Sequence, residues 1–236
     1  MKILYEKRPL MIAHRGASGY ELENTKEAFI AAGNRSFYGI ETDVRVTKDG
    51  YLIVFHDADL KRLKGLEDKI RDLTLQEIKS VSLTKGFNHI DYYQIPTFKE
   101  YLKICKYYQK KAIIELKHGF NEKTINQLIL EIQEQEMLDE SIIISFNMEY
   151  LINIRKKLPY LQIQYLTGEE LDDERINLCI NYRFDVDLQK DLVTPEIINF
   201  FHHHKLKVNA WTVDNVDEAK RLIMMNIDYL TSNFLE

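Results

Sequence analysis

Short apolar runs alternate with longer amphipathic stretches along the whole chain, and polar residues follow most of the apolar runs. Apolar runs of roughly four to eight residues are typical of buried strands, whereas apolar residues that recur every three or four positions are typical of helices. On this basis we predict eight strands, at residues 10–13, 39–45, 112–116, 142–145, 161–166, 184–188, 206–213 and 227–231.

Capping signals indicate where the intervening helices begin. Thr97 and Glu100 have the spacing of a capping box, in which each side chain accepts a hydrogen bond from a backbone N–H of the other residue. Asn24 and Glu27 have a similar spacing, which predicts a helix from Asn24 to about Gly33. The further predicted helices cover residues 98–108, 122–135, 148–158, 169–180, 196–204 and 216–225.

The alternation of strands and helices predicts a parallel sheet, and eight strands favour its closure into a (β/α)8 TIM barrel. An open, doubly wound sheet is the alternative. We expect a single catalytic domain of residues 1–236, because α/β barrels commonly reach about 200–250 residues.

Two departures from a minimal barrel are expected. Residues 58–96 form a small insertion after the second strand, interpreted as a cap over the barrel mouth, and too few residues follow the last strand for a full eighth helix.

Composition argues against several classes of protein. The formal net charge of -5 is not the basic signature of a protein that binds nucleic acid or an anionic membrane. Cys105 and Cys179 are too few for a disulfide framework or a cysteine-rich metal site. Neither a signal peptide nor the roughly 18 consecutive apolar residues of a membrane span are recognisable. We expect a cytoplasmic protein without a stable membrane anchor; a homo-oligomer remains possible.

Residues 39–57, G-I-E-T-D-V-R-V-T-K-D-G-Y-L-I-V-F-H-D, combine two carboxylates and a histidine in one predicted hairpin. Glu41 and Asp43 are two apart on a strand, so both side chains point to the same face. A two-residue turn at positions 49–50 would place His56 opposite Asp43, whereas a four-residue loop would place it opposite Glu41. Taken alone, the stretch also fits an exposed acidic strand with a hydrogen-bonded histidine.

Polar residues also end the two neighbouring predicted strands of the barrel. His14 and Arg15 follow the first strand, and Glu115 and Lys117 end the third, again two apart. A TIM barrel collects the C-terminal ends of its strands at one mouth. We therefore expect these four residues to meet the hairpin there.

This set of residue types favours metal-assisted cleavage of a phosphoester. Three inward carboxylates would repel one another unless a cation neutralised them, and a hard divalent ion, Mg²⁺ or Ca²⁺, suits oxygen ligands better than zinc does. Arg15 and Lys117 suit a phosphate, and Gly16 allows close backbone approach. Two histidines beside that phosphate could act as general base and general acid.

The ordered motifs of the chain resemble those of the glycerophosphodiester phosphodiesterase family, barrel type. The matches are H-R-G at 14–16, E-N-T at 23–25, E-T-D-V at 41–44, V-F-H-D at 54–57, I-P-T at 95–97, E-L-K at 115–117, S-F at 145–146, W-T-V at 211–213 and I-D-Y-L-T-S-N at 227–233. Two positions depart from the family pattern: Leu22 replaces the usual proline before E-N-T, and residues 231–234 lack the usual Asp and Pro. Both departures leave substrate choice open.

The resemblance implies a role for each site residue. It assigns the metal to Glu41, Asp43 and Glu115, acid/base catalysis to His14 and His56, and phosphate binding to Arg15 and Lys117. Phe146 and Trp211 fit the walls of a substrate site and core packing equally well.

The implied reaction yields glycerol 3-phosphate and a free alcohol. In this family the 2-hydroxyl of the substrate's glycerol is thought to attack phosphorus, after which water opens the cyclic phosphate. A lysophospholipase D-like activity and a non-catalytic phosphate-binding barrel are the alternatives.

Overall fold

Eight parallel strands close into a barrel in the computed structural model, which describes residues 9–83 and 93–236. The strands of these residues are β1 Leu10–Ala13, β2 Gly39–Val46, β3 Leu52–Val54, β4 Ser82–Leu83, β5 Tyr93–Gln94, β6 Lys111–Leu116, β7 Ser141–Ser145, β8 Gln162–Thr167, β9 Asp185–Gln189, β10 Val208–Trp211 and β11 Tyr229–Ser232. β1 pairs with both β11 and β2, which closes the barrel, so the TIM-barrel prediction is confirmed and the open sheet is excluded. β3 runs antiparallel to β2 outside the barrel.

Helices follow the barrel strands and cover the outside. Those of the described residues are α1 Lys26–Gly33, α2 Lys61–Lys64, α3 Leu75–Ser80, α4 Phe98–Tyr107, α5 Glu122–Glu134, α6 Met148–Lys157, α7 Asp173–Tyr182, α8 Pro195–His203 and α9 Val216–Met224. After β11, residues 233–236 contain no helix. In the part of the chain that the structure describes, no helix is both long enough and apolar enough to cross a membrane.

Two predicted helix starts are wrong, because the residue that caps each helix lies further along the chain than predicted. The helix predicted from residue 169 begins at Asp173, because Asp172 is the cap and accepts a hydrogen bond from the Arg175 backbone N–H. Similarly, α1 is capped by Thr25 and not by Asn24. The capping box of Thr97 and Glu100 is confirmed.

The main core lies between the barrel and its helices, where large side chains such as Phe29, Phe98 and Tyr101 are fully buried. Each such side chain contributes roughly 1.5–3 kcal/mol of transfer free energy. Inside the barrel a smaller apolar cluster includes Ile12 and Ile142. Buried Glu41, Asp43 and Glu115 lie on β2 and β6, towards the C-terminal mouth of the barrel.

The described residues between β3 and α4 include α2, α3, β4 and β5, and they pack around an apolar cluster that contains Phe55, Ile70 and Ile78. The helix predicted after Thr74 is confirmed, together with its capping box to Glu77. Residues 84–92 of the predicted insertion lie outside the described residues.

Candidate active site

The hairpin of β2 and β3 has a three-residue loop, so both registers predicted for His56 are wrong. Val44 pairs with Val54, and residues 48–50 form the loop, whose last residue is a glycine with a φ of +87°. A left-handed glycine at that position is what a three-residue hairpin loop requires. Continuing the register would put His56 opposite Thr42, but β3 has ended and the imidazole instead lines a cavity at the barrel mouth.

The structure brings Glu41, Asp43 and Glu115 together at the mouth. Asp43 of β2 is level with Glu115 of β6, and one oxygen from each of the three buried carboxylates lies within 4.8 Å of the others. The buried Oδ1 of Asp43 makes no hydrogen bond with any described residue. A buried set of oxygen donors with an unsatisfied member fits a hard divalent cation.

Burial and mutual repulsion shift the pKa values of these carboxyl groups. Burial, followed by the charges of Asp43 and Glu115, raises the pKa of Glu41 well above its usual range. Burial, followed by Asp43, raises the pKa of Glu115 to about 7. Burial also acts to raise the pKa of Asp43, but Lys117 and Arg15 outweigh it and lower that pKa. Both upward shifts favour the protonated forms of Glu41 and Glu115, and a bound cation would oppose them.

The two cations beside the cluster, Arg15 and Lys117, are already paired. Lys117 Nζ lies 2.7 Å from Glu115 Oε1 and 3.2 Å from Asp43 Oδ1, the latter in a direction that makes no hydrogen bond. Arg15 Nη1 lies 2.9 Å from Glu23 Oε1, and its Nε lies 3.4 Å from Asp43 Oδ2. Both side chains also line the cavity, so each can contact an anion bound there.

The turn after β1 places the backbone of Arg15 against the cluster. Arg15 has a φ of +53° and its N–H donates to Glu41 Oε2 at 2.7 Å. A left-handed non-glycine residue costs on the order of 1–3 kcal/mol, which the surrounding contacts must offset. At Gly16, with a φ of +79°, an added Cβ would lie 2.7 Å from the carbonyl carbon of Ala28. This position therefore requires glycine.

Asn24, predicted as a helix cap, instead supports the cluster. Its Nδ2 donates to Asp43 Oδ2 at 2.8 Å, and its Oδ1 accepts from the Thr42 hydroxyl at 2.9 Å. The residue has a φ of +55°, which lies outside a helical start and frees the side chain for these contacts. Asn24 thus fixes the direction of the second Asp43 oxygen.

His14 is oriented by Asn233, a residue that the sequence analysis left without a role. Asn233 Nδ2 and backbone N both donate to the Asp214 carboxylate, so the remaining amide oxygen faces His14 Nδ1 at 2.9 Å. That oxygen can only accept, so Nδ1 carries the proton and Nε2 carries the lone pair. Burial, followed by Arg15, lowers the pKa of His14 and favours this neutral form. The only sequence signal was the end of the motif at residues 227–233.

His56 is oriented by a carboxylate. Its Nδ1 lies 2.8 Å from Asp57 Oδ1, and Asp57 Oδ2 accepts from Arg62 Nε at 2.7 Å. Arg62 comes from the segment between β3 and α4, and it also binds Glu23, the partner of Arg15. Burial lowers the pKa of His56, whereas Asp43 and the hydrogen bond to Asp57 oppose that effect. The contribution of Arg62 could not be recognised from the sequence, because no motif includes it.

These residues surround one cavity of about 160 Å³, named here the mouth cavity. Phe146 and Trp211 lie on its far side, in edge-to-face contact with ring centroids 5.8 Å apart. The side chain of Phe146 is 44% exposed, so it lines the cavity and is not part of the core. The cavity-lining residues are His14, Arg15, Glu41, His56, Glu115, Lys117, Ile144, Phe146, Leu166, Asp187, Trp211 and Thr231.

Asp187 is a buried carboxyl group of this wall that the sequence analysis did not identify. Its Oδ1 makes no hydrogen bond with any residue in the described ranges, and neither does the side-chain amide of buried Gln164. Burial raises the pKa of Asp187 well above its usual range, which favours the uncharged form of this carboxyl group. The available signal was the spacing of Asp185 and Asp187, which repeats that of the acidic pair on β2.

The chain is similar to known phosphodiesterases in sequence and in fold. The model of the glycerophosphoryl diester phosphodiesterase family matches residues 14–236. A glycerophosphodiester phosphodiesterase of Caldanaerobacter subterraneus subsp. tengcongensis is 31% identical over 224 residues, which cover 94% of this chain and 92% of that protein.

Solved structures share the fold along nearly the whole chain. The glycerophosphodiester phosphodiesterase of Thermotoga maritima is 30% identical, with a TM-score of 0.78 and coverage of 97% of this chain and 96% of that one. A phosphodiesterase of Oleispira antarctica, solved in complex with its product sn-glycerol-3-phosphate, has a TM-score of 0.87 at 22% identity, covering 96% of this chain and 93% of that one. The present chain belongs to the glycerophosphoryl diester phosphodiesterase family.

Proposed function

We propose that this enzyme hydrolyses glycerophosphodiesters to glycerol 3-phosphate and an alcohol with the help of a divalent cation. The observation that carries the proposal is the meeting of three buried carboxylates and two oriented histidines at one small cavity. The family supplies the reaction type.

Glu41, Asp43 and Glu115 would hold Mg²⁺ or Ca²⁺, because all three offer only oxygen and Asp43 Oδ1 makes no hydrogen bond within the described residues. When bound, the ion would neutralise negative charge on the phosphoryl oxygens. Arg15 and Lys117 would contact the same phosphate, and their pairing with carboxylates keeps both head groups at the cavity wall.

The hydrogen bonds of the two histidines support different roles. His14, neutral with a lone pair on Nε2, would take the proton of the glycerol 2-hydroxyl as its oxygen attacks phosphorus. His56 has the Asp57 carboxylate at Nδ1, which stabilises the imidazolium form. It would therefore donate the Nε2 proton to the oxygen of the leaving alcohol.

The second step would reverse these roles. After the alcohol leaves, His56 is neutral and can take a proton from the water that attacks the cyclic phosphate. His14 is then protonated and returns its proton to the 2-oxygen of glycerol as the ring opens. Both histidines finish in their starting states, and the product is glycerol 3-phosphate.

The size of the mouth cavity favours a deacylated substrate over a lysophospholipid. Its volume of about 160 Å³ is below the roughly 300–1,000 Å³ of sites for larger ligands. Phe146 and Trp211 would cover the carbon chain of glycerol, and Asp187 could hydrogen-bond one of its hydroxyl groups.

The proposal includes the organisation and location of the protein. One catalytic domain would include residues 58–96 as a cap, supported by the ion pair of Arg62 with Glu23 across the mouth. A cytoplasmic location is supported by the two buried free thiols, Cys105 and Cys179, which suit a reducing compartment.

The test is an assay for glycerol 3-phosphate after incubation with glycerophosphocholine or glycerophosphoethanolamine. We expect product with Mg²⁺ or Ca²⁺ and none with excess chelator. Faster turnover of lysophosphatidylcholine would instead favour the lysophospholipase D-like activity. Tight binding of the diesters without turnover, unchanged in His14→Ala, would favour a non-catalytic barrel. No product from either diester with either ion would contradict the proposal.

A further inference from the structure

A second pocket, of about 450 Å³, lies beside the mouth cavity, and half of the described residues that line it are basic. We name it the basic pocket and define it by Arg45, Lys48, Lys69, Arg71 and His118. None of the lining residues within 9–83 and 93–236 is acidic. A concave surface with charge of one sign concentrates ions of the opposite sign. The lining therefore suits an anion.

Three positive charges of the basic pocket, those of Lys48, Lys69 and Arg71, have few close partners, whereas the Arg45 guanidinium is near the carboxylates of Asp43, Glu115, Asp57 and Asp59. Within the described residues, Lys48 and Lys69 have no carboxylate within 4 Å, and Arg71 Nε lies 3.9 Å from Asp72, where both side chains are well exposed. The nearby Asp49 carboxylate instead accepts hydrogen bonds from the Thr47 hydroxyl and the Leu75 backbone N–H. A cationic pocket with few internal partners can hold an external anion.

The chain segments that form the mouth cavity also continue into the basic pocket. Arg45 follows Asp43 by two residues on β2, so its side chain leaves the same face of the strand about 7 Å further on. His118 directly follows Lys117, and Arg45 Nε donates to the backbone oxygen of His56 at 3.0 Å. The basic pocket therefore adjoins the proposed active site on the side of His56.

The proposed role of His56 sets the direction in which the leaving alcohol extends. Because His56 would protonate the leaving oxygen, the rest of the alcohol must lie near that imidazole and away from the glycerol. The basic pocket is the cavity next to His56 on this path, through the contact of Arg45 with the His56 carbonyl. A charged group on the leaving alcohol would therefore extend towards the basic pocket.

We propose that the basic pocket binds a second anionic group on the leaving alcohol, so that the preferred substrates are diesters whose alcohol carries a phosphate or a carboxylate. The inference rests on the proposed function, because it concerns the leaving alcohol of the same substrate. A choline or ethanolamine head group, which is cationic, would be the least favoured alcohol.

Three glycerophosphodiesters that differ in the charge of the alcohol test this proposal: glycerophosphocholine, glycerophosphoglycerol and glycerophosphoglycerol with a terminal phosphate. We expect kcat/KM to rise in this order, with about a tenfold advantage of the anionic over the neutral alcohol at low salt. That advantage should fall as the salt concentration rises from about 0.01 to 1 M, because the charges are exposed.

The variant Lys69→Gln/Arg71→Gln removes two exposed charges of the basic pocket and should bring the anionic-to-neutral ratio close to one. Its turnover of glycerophosphoglycerol should stay within about twofold of wild type, because neither residue lines the mouth cavity. Lys103→Gln/Lys156→Gln is the matched control, since it removes two exposed charges from α4 and α6. This control should keep the wild-type ratio.

Calorimetry can measure the binding of the neutral and of the terminally phosphorylated diester independently of turnover. It therefore distinguishes a failure of the proposed function from a failure of the basic pocket as an anion site. Absence of turnover with all three diesters contradicts the proposed function, but tighter binding of the phosphorylated diester that Lys69→Gln/Arg71→Gln abolishes still supports the pocket. Equal affinity for the two diesters, or a preference that survives this variant, would overturn the basic pocket as an anion site.

Discussion

The two walls of the mouth cavity differ in whether their polar groups are paired with opposite charges. On the wall formed by β1, β2 and β6, each carboxylate and cation contacts an opposite charge or a hydrogen-bonding group, as Lys117 does with Asp43 and Glu115. On the wall formed by β7 to β10, the side chains are apolar or aromatic, and Asp187 Oδ1 makes no hydrogen bond with a described residue.

The difference indicates which part of a ligand each wall holds. Charges that are already fixed in direction stabilise the charge of a transition state without reorganising, which suits a metal ion and a phosphate. A neutral, mainly apolar wall without ion pairs shapes the space around a ligand and can hydrogen-bond its hydroxyl groups. We therefore expect changes in the charged wall to lower kcat, and changes in the neutral wall to raise KM.

The largest effect is expected for Asp43→Asn in the charged wall. This substitution removes the charge shared by Arg15 and Lys117 together with one of three proposed metal ligands. We expect kcat to fall by about 10³-fold or more. Steady-state assays with saturating Mg²⁺ measure the loss, with the exposed Asp217→Asn as a control. A loss of less than tenfold would contradict the role of the charged wall.

A smaller effect is expected for Asn233→Ala, which acts on the same wall through His14. Without the Asn233 oxygen, the imidazole loses the hydrogen bond that selects its tautomer. Loss of such a supporting contact commonly costs about 10–100-fold, so kcat should fall by this factor. KM should stay within about threefold, because Asn233 does not line the cavity. A rise in KM at unchanged kcat would show that Asn233 does not position the base.

On the neutral wall, Phe146→Ala should show the opposite pattern. The ring is exposed to the cavity and contacts Trp211, so its removal takes away apolar contact without disturbing a charge. We expect KM to rise about tenfold, with kcat changed less than threefold. Phe146→Leu, which keeps much of the apolar surface, should lie between this variant and wild type. Equal losses of kcat in Phe146→Ala and Asp43→Asn would remove the distinction between the walls.

The smallest effect is expected for Glu100, a carboxylate that lies outside the mouth and is paired with Lys26 and Lys79. It shows what an ion pair contributes where no catalysis is expected. Burial acts to raise its pKa, but hydrogen bonds from Lys26 and Lys79 outweigh it and lower the pKa from 4.5 to about 2. A lowered pKa means that the charged form stabilises the fold above pH 4.5, and that this stability is lost as the pH falls towards 2.

Glu100→Gln should therefore lower the free energy of unfolding at pH 7 by about 1 kcal/mol or less, since the pair is partly exposed. Urea unfolding between pH 7 and about 2 measures this difference, which should shrink below pH 4.5. A difference that is independent of pH would show that the charge of Glu100 does not contribute.

The barrel and the charged wall could be predicted from the sequence because both follow from local periodicity. Alternating strands and helices define a parallel barrel, and the spacing of Glu41 and Asp43 places both carboxylates on one face. The hairpin register could not be predicted, because one residue more or less in the loop changes the partner of His56, and only the left-handed Gly50 settles the loop at three residues.

The supporting contacts could not be predicted, because they join distant parts of the chain. Asn233 meets His14 across 219 positions, and no local pattern records such a contact. Arg62 reaches Asp57 from a segment whose path depends on its own small core. Asp187 was missed because one buried carboxyl on a late strand resembles an ordinary polar residue until the cavity is known.

The central claim is that Glu41, Asp43 and Glu115 hold the divalent ion that the reaction requires, and calorimetric titration of chelator-treated protein with Mg²⁺ and with Ca²⁺ tests it most directly. We predict a single ion bound per chain in the wild type, strongly weakened binding in Glu115→Gln, and glycerol 3-phosphate formation that returns in step with occupancy. Full activity of the metal-free protein, or unchanged affinity in Glu115→Gln, would contradict the claim.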